Sequence, residues 1–430
     1  MKIRSSGFSC IVVLTSTILF SVAAIAEFEI YNKDGTRIVI NADIVGAGFA
    51  NSESWFGESN TFLGDNTDDW FEFGFEPRLS FETPVGKGIL FGQLSGVYTN
   101  TFGDDVSGLT IGLDSTDDIT LEQAHLGWRV ENLFSGLDED TFSITGGRQD
   151  YLIGTGLLIA DGNSDGAERG GWSLGLRKVF QESIIARLKS KVLLVEGFRL
   201  ANRPRTGRTE SSVYGGNLEY KFAGAVTIGG TYLAVDANLP GYEVLDVFSG
   251  RVNWILTKDL VIGGEYVHES SDQIDADGWY AQISYTAEGI PWSPVFSYRY
   301  AHFDGDDPNT VKEERFREIA YGYTDYGYWY QGEITNNNPL GNKNLISHLA
   351  RVKAKPREDL TLNVLYYNFT IDEPASLSPG VTSDDWGDEI DFIADWQATD
   401  KLYISGVVGV LFPGDAAVQF VGGDSDWVYS

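Results

Sequence analysis

The chain is nearly without sulfur: 430 residues carry one cysteine and one methionine, Cys10 and Met1. A lone thiol near the N-terminus forms no intramolecular disulfide, and it offers no thiolate cluster for a metal. Basic residues are also scarce, 31 Lys and Arg against 62 Asp and Glu, a formal charge of −31. Such acidity argues against nucleic acid as a partner. A long apolar run is missing too. Past the N-terminus no stretch approaches the roughly 20 apolar residues that a spanning helix needs.

The N-terminus reads as a secretory signal peptide over residues 1–26. Lys2 and Arg4 give a positive start, Ile11 to Val22 an apolar stretch, and Ala24-Ile25-Ala26 a small-x-small cleavage site before Glu27. The apolar stretch is short for a retained membrane helix. Cys10 precedes that stretch instead of ending it, so it is not read as a lipidation site. Removal of Lys2 and Arg4 leaves 29 basic and 62 acidic residues, 29 − 62 = −33 for residues 27–430.

What is present is alternation. Phe71, Phe73, Phe75, Leu79 and Phe81 fall on one parity, and Glu72, Glu76, Arg78, Ser80 and Glu82 on the other. A strand repeats every two residues, so one face is greasy and the other charged. Segments of this kind are expected near 36–50, 70–82, 88–102, 119–131, 141–151, 170–180, 185–200, 211–222 and 226–235. Others are expected near 245–256, 260–269, 277–287, 293–304, 347–356, 360–370, 388–397 and 402–412, with a final one beginning near Trp427. An unbroken series of about 18 such strands describes a transmembrane antiparallel up-and-down β-barrel, all-β and of one domain, with lipid outside and water within. Gly 50, Tyr 21 and Phe 25 suit its turns and interfacial aromatics.

Connection lengths alternate as well. Short turns are expected at Pro84–Lys87, Gln181–Ser183, Ala223–Ala225, Thr257–Asp259, Pro356–Asp359 and Ala398–Lys401, and longer acidic loops at 51–69, 103–118, 151–169, 305–346 and 371–387. Short periplasmic turns and long outer loops are the pattern of Gram-negative outer-membrane barrels. The longest, 305–346, is expected to lie on the surface or fold inward. Outer-membrane lipid, lipopolysaccharide and the barrel-assembly machinery are the partners this implies. The terminal Trp427-Val428-Tyr429-Ser430 lacks the usual closing aromatic strand, so the last strand is expected to be cut short, or else to be Val418–Gly422.

Alternation also assigns charges to the lumen. Arg187, Lys189 and Lys191 share one parity, and so do Arg351, Lys353 and Lys355. Arg129, Arg177, Arg251 and Arg299 each lie on a polar parity. On the lipid face such charges cost a few kcal/mol each near midplane, so they are expected to face water. They either pass anions or pair with Glu72, Glu76, Glu219, Glu265, Glu389, Asp391 and Asp395 across the lumen. Nothing in the pattern calls for an enzyme or a cofactor. Gly171-Trp172-Ser173-Leu174-Gly175 matches a hydrolase nucleophile motif but lies in an alternating segment, not at a strand-to-helix elbow. His125, His268, His302 and His348 show no metal spacing. Asp161, Asn163 and Asp165 resemble the start of an EF-hand loop, but Trp172 stands where its bidentate Glu belongs. Only a looser calcium site remains there, as at Asp304-Gly305-Asp306-Asp307.

Gly147-Arg148-Gln149, followed by Tyr151, Gly154 and Leu157-Leu158 to Asp161, resembles the alginate export family of outer-membrane porins. Phe303-Asp304-Gly305-Asp306, Asn344-Leu345, Gly387-Asp388-Glu389-Ile390-Asp391-Phe392 and Phe412-Pro413-Gly414 extend the resemblance over most of the chain. It implies an 18-strand barrel whose pore, Arg148 included, passes an anionic polysaccharide. The alternatives are an uptake porin for small solutes or sugars, and a barrel enzyme, for which no nucleophile and base are evident.

Overall fold

In the computed structural model the described residues are 17–52, 67–103, 115–134, 137, 141–162, 170–171, 173–202, 211–237, 244–322, 329, 331–335, 340–421 and 428–429. They form one antiparallel sheet. Its strands are β1 (Thr17–Lys33), β2 (Thr36–Ser52), β3 (Thr67–Val85), β4 (Gly88–Gly103), β5 (Ser115–Glu131), β6 (Thr141–Gln149), β7 (Phe180–Lys189), β8 (Leu193–Asn202) and β9 (Ser211–Phe222). They continue with β10 (Val226–Ala237), β11 (Leu245–Thr257), β12 (Leu260–Ser270), β13 (Asp275–Thr286), β14 (Val295–Phe303), β15 (Leu345–Arg357), β16 (Leu360–Ile371), β17 (Asp385–Thr399) and β18 (Leu402–Pro413). Each pairs with its sequence neighbours, and β1 also pairs with β18 through Thr17 to Ser21. The two-residue β19 (Val428–Tyr429) touches β18 and β2. Two short helices, α1 (Pro374–Leu377) and α2 (Asp415–Val421), complete the described elements. No described helix is long and apolar enough to cross a membrane.

Faces follow the alternation. On β3, Phe71 and Leu79 are exposed outward while Glu72 and Glu76 are buried inward. Near the extracellular ends an outward tyrosine on one strand bonds a polar group on the next. Tyr232 donates to Asp246 (2.6 Å), Tyr266 to Asp277 (2.6 Å) and Tyr366 to Asp388 (2.8 Å), while Tyr298 meets His348 (2.7 Å). An amphipathic ring with its hydroxyl in the headgroup layer marks that interface.

Four expectations need correcting. The described residues of 170–180 are not a strand before Phe180: Gly170, Gly171 and Gly175 take left-handed φ of 73°, 65° and 62°, which breaks an extended chain. The single strand expected over 185–200 is two, because the chain reverses at 190–192. There Ser190 N–H donates to Leu193 O (2.7 Å), and its hydroxyl accepts from Leu193 N–H (3.1 Å). The turn expected at Gln181–Ser183 therefore lies inside β7. Val418 to Val421 are helical in α2, not a closing strand. In addition, β1 overlaps the expected signal segment and was not among the expected strands.

Candidate functional site

The lumen has two layers. Toward the extracellular end the inward positions are apolar: Ile185, Phe198, Leu200, Val213, Leu233, Val247, Val267, Phe303, Leu345 and Tyr367 are all buried. They are buried because 150–162 and the described residues of 304–344 fold in against them. The first supplies Tyr151, Ile153 and Leu157 to Ile159, and the second Phe316, Trp329, Ile334 and Leu340. The two are joined by a parallel bridge between Ile159 and Ala320. Ala160 N–H donates to Ala320 O (2.7 Å), and Ala320 N–H to Leu158 O (3.1 Å). The expected inward option for 305–346 is thus the one adopted by its described residues.

Anchors hold this plug to the wall. Glu389, fully buried on β17, accepts from Ile334 N–H (2.7 Å), Thr335 N–H (3.0 Å) and Thr335 Oγ1 (2.7 Å). Glu269 on β12 accepts from Arg317 N–H (2.8 Å). Trp329 Nε1 donates to the carbonyl and hydroxyl oxygens of Thr155, 3.1 Å each, so the second loop is fastened to the first. Burial, and then the Glu196 carboxylate, raise the Tyr151 hydroxyl well above its ordinary pKa, so it stays protonated. Arg299 lies four residues below the end of β14, its guanidinium 4.7 Å from the Trp329 ring. At 3.3 Å per residue and a tilt near 40°, the plug reaches about 10 Å into the barrel.

Beneath it lies a belt of both signs. Arg187 pairs with Glu196 (2.6 Å) and sits 5.9 Å from the Tyr151 ring. Arg251 meets Glu219 (2.7 Å), Glu265 (3.9 Å) and the Thr231 hydroxyl (2.8 Å). Arg129 pairs with Glu82 (2.6 Å), and Arg78 with Asp43 and Glu76. Arg351 donates from Nε and Nη2 to Asn363 Oδ1 (3.1 and 2.8 Å). Below Arg351, toward the periplasmic end, Lys353 and the exposed Lys355 continue the inward row of β15, and Lys189 ends that of β7.

Several expected pathway residues lie elsewhere. Lys191 sits on the turn between β7 and β8, so it is not part of a ladder with Arg187 and Lys189. Arg177 is buried in the segment before β7 and donates to Gly170 O. Arg148 donates from Nε to Glu122 O (3.1 Å) beside a register shift in β6. Ser173 occupies a turn, its N–H donating to Glu72 (2.9 Å). Of the calcium candidates, Asn163 and Asp165 lie outside the described residues, which leaves Asp161 alone. At the second acidic turn, Asp306 accepts from Glu314 N–H (3.0 Å) and Asp307 from Asn309 N–H (2.9 Å). Asp304 instead faces His302 and Asp372, a meeting across 70 residues that spacing could not reveal.

The family described as alginate export matches residues 236–427, somewhat less than half of the chain. The Gly147 to Asp161 motif lies outside it. Among solved structures the chain is similar to the outer membrane protein opdK from Pseudomonas aeruginosa, at 12% identity and a TM-score of 0.53, covering 97% of this chain and 95% of that one. It is likewise similar to OccAB2 of Acinetobacter baumannii, at 10% identity and a TM-score of 0.53, with 96% and 95% covered. At those identities the likeness is one of fold. No curated protein matches the sequence. Fold and family pattern are those of a channel in the Gram-negative outer membrane.

Proposed function

We propose that this channel passes an anionic oligo- or polysaccharide, alginate-like in chemistry. The observation that carries the reading is the inward row Arg351, Lys353 and Lys355 on β15, within the family-matched stretch. Rows of cations in a water-filled barrel favour anions. Lys189 and Lys355, exposed at the periplasmic ends of β7 and β15, are cations that a solute meets at that mouth. In planar bilayers at low ionic strength, where screening is weakest, the channel should prefer anions, and alginate oligomers should block its current. Loss of that block in Lys353→Gln/Lys355→Gln supports the reading. Cation preference with no alginate block refutes it.

A second reading, an uptake porin for small solutes, draws on the plug and on the charge pairing of the belt, both of which narrow the lumen and balance its field. Liposome swelling separates the two. Rapid entry of neutral monosaccharides, with no effect of uronate polymers, would favour uptake.

A further inference from the structure

We infer that His302, Asp304 and Asp372 bind one divalent transition-metal ion, preferentially Zn²⁺, at the extracellular rim. His302 is the penultimate residue of β14, Asp304 follows that strand, and Asp372 follows β16. His302 Nε2 lies 3.0 Å from Asp372 Oδ1 and 3.5 Å from Asp304 Oδ1, and all three donor atoms lie within 4.8 Å of one another. Tetrahedral Zn²⁺ with bonds near 2.0–2.2 Å holds neighbouring ligands about 3.3 Å apart, so both separations suit ligands of one ion with a position left open.

Neither carboxylate is free to turn away. Asp372 Oδ2 accepts from Gly305 N–H (2.8 Å), and Asp304 Oδ2 accepts from Asp277 N–H (2.7 Å). The outer oxygens are thus held by backbone, and the Oδ1 atoms aim at the imidazole. Backing of this kind orients metal-binding carboxylates. The three side chains are 22–29% exposed, so an ion can reach them from solvent. An imidazolium could balance one carboxylate, whereas a divalent ion balances both. One imidazole with two carboxylates suits Zn²⁺ better than Ca²⁺ or Mg²⁺, which favour oxygen shells of six or more.

The site stands apart from the lumen, because alternation turns Arg299, Ala301 and Phe303 inward and His302 outward. It lies at the root of the plug. Asn344 N–H donates to Asp304 O (3.1 Å) and Asp372 N–H to Asn344 O (3.4 Å), so an ion there clamps both ends of 304–344.

The test uses the full chain folded in detergent, with Zn²⁺ alone competed against a chromogenic chelator and Co²⁺ as the spectroscopic substitute. One equivalent of Zn²⁺ should bind, and Co²⁺ should give the intense visible bands of a low-coordinate site. Asp372→Asn and His302→Gln should each weaken binding by more than about tenfold, the lower bound seen even for outer-shell partners. Both should keep the heat-modifiable gel migration of a folded barrel, and Asp304→Asn serves if either does not. Absence of stoichiometric Zn²⁺, unchanged affinity in the folded variants, or displacement of Zn²⁺ by equimolar Ca²⁺ would overturn the assignment.

Discussion

Replacing Trp329 by alanine should open the lumen without unfolding the barrel. The indole is fully buried, packs edge-on against Tyr280 at 4.8 Å and Phe303 at 6.3 Å, and lies under the Arg299 guanidinium. Truncating a buried tryptophan costs about 3–5 kcal/mol. The lost cation–π contact, of order 2 kcal/mol when desolvated, is a share of that sum and not an addition to it. Those energies change the docked-to-undocked ratio of the 304–344 loop by about two to three and a half powers of ten. The strand ladders make no use of the indole, so heat-modifiable migration should persist. Single-channel recording is the assay. The variant should show larger or more frequent high-conductance events than the parent. Trp329→Phe keeps the ring but loses both contacts to Thr155, and it should fall between them, since a hydrogen bond is worth about 0.5–1.5 kcal/mol net. Identical conductance and noise in the alanine variant would show that the plug does not limit the path.

Glu389→Gln should loosen the same loop, because its three accepted bonds involve a carboxylate, each worth about 1.5–3 kcal/mol. Limited proteolysis should cut within 331–345 faster than in the parent, and equal rates would count against Glu389 as an anchor. Lys353→Gln/Lys355→Gln and Glu219→Gln should move the reversal potential in a salt gradient in opposite directions, the first away from anions and the second toward them. Shifts of the same sign would mean that wall charge does not set selectivity. A cysteine at the fully exposed Val311 should react with an impermeant thiol reagent on whole cells, while one at Lys258 or Asp400, on the short turns, should not. The reverse labelling would invert the topology. Cleavage after Ala26 would give a mature mass beginning at Glu27, and an intact mass retaining Thr17 to Ala26 would exclude it.

The barrel was legible because its physics is periodic. Lipid on one side and water on the other impose the same two-residue rule on every strand, and Phe71 to Glu82 on β3 displays it without help from tertiary contacts. The rule failed where polarity alternates but the backbone does not extend. Ser173, Gly175 and Arg177 alternate with Leu174 and Leu176 as a strand would, yet three glycines at positive φ make the segment a series of turns. At Ser190 one hydroxyl, bonding back to the chain, ended a strand that side-chain parity alone would have continued.

The site was legible to the same depth. Parity gives the face a charge points to, but not its partner. Arg187 and Lys189 looked like the start of a ladder along one strand, whereas directly opposed residues on neighbouring strands lie closer, about 5 Å apart. Directly across the sheet Arg187 meets Glu196 and Arg251 meets Glu265, and Arg251 also reaches over Gly229 of β10 to Glu219 on β9. Those pairings change what each cation can do. A guanidinium held by a carboxylate and flanked by an aromatic ring, as Arg187 is beside Tyr151, has its donors fixed by geometry and serves the wall. A lysine on a flexible stem keeps its charge mobile. Lys189 and Lys355, both exposed at the periplasmic ends of their strands, are of that second kind. On the proposed function, attraction for a passing anion belongs chiefly to these exposed lysines near the periplasmic mouth, while Arg187 and Arg251, paired with carboxylates, hold the belt beneath the plug.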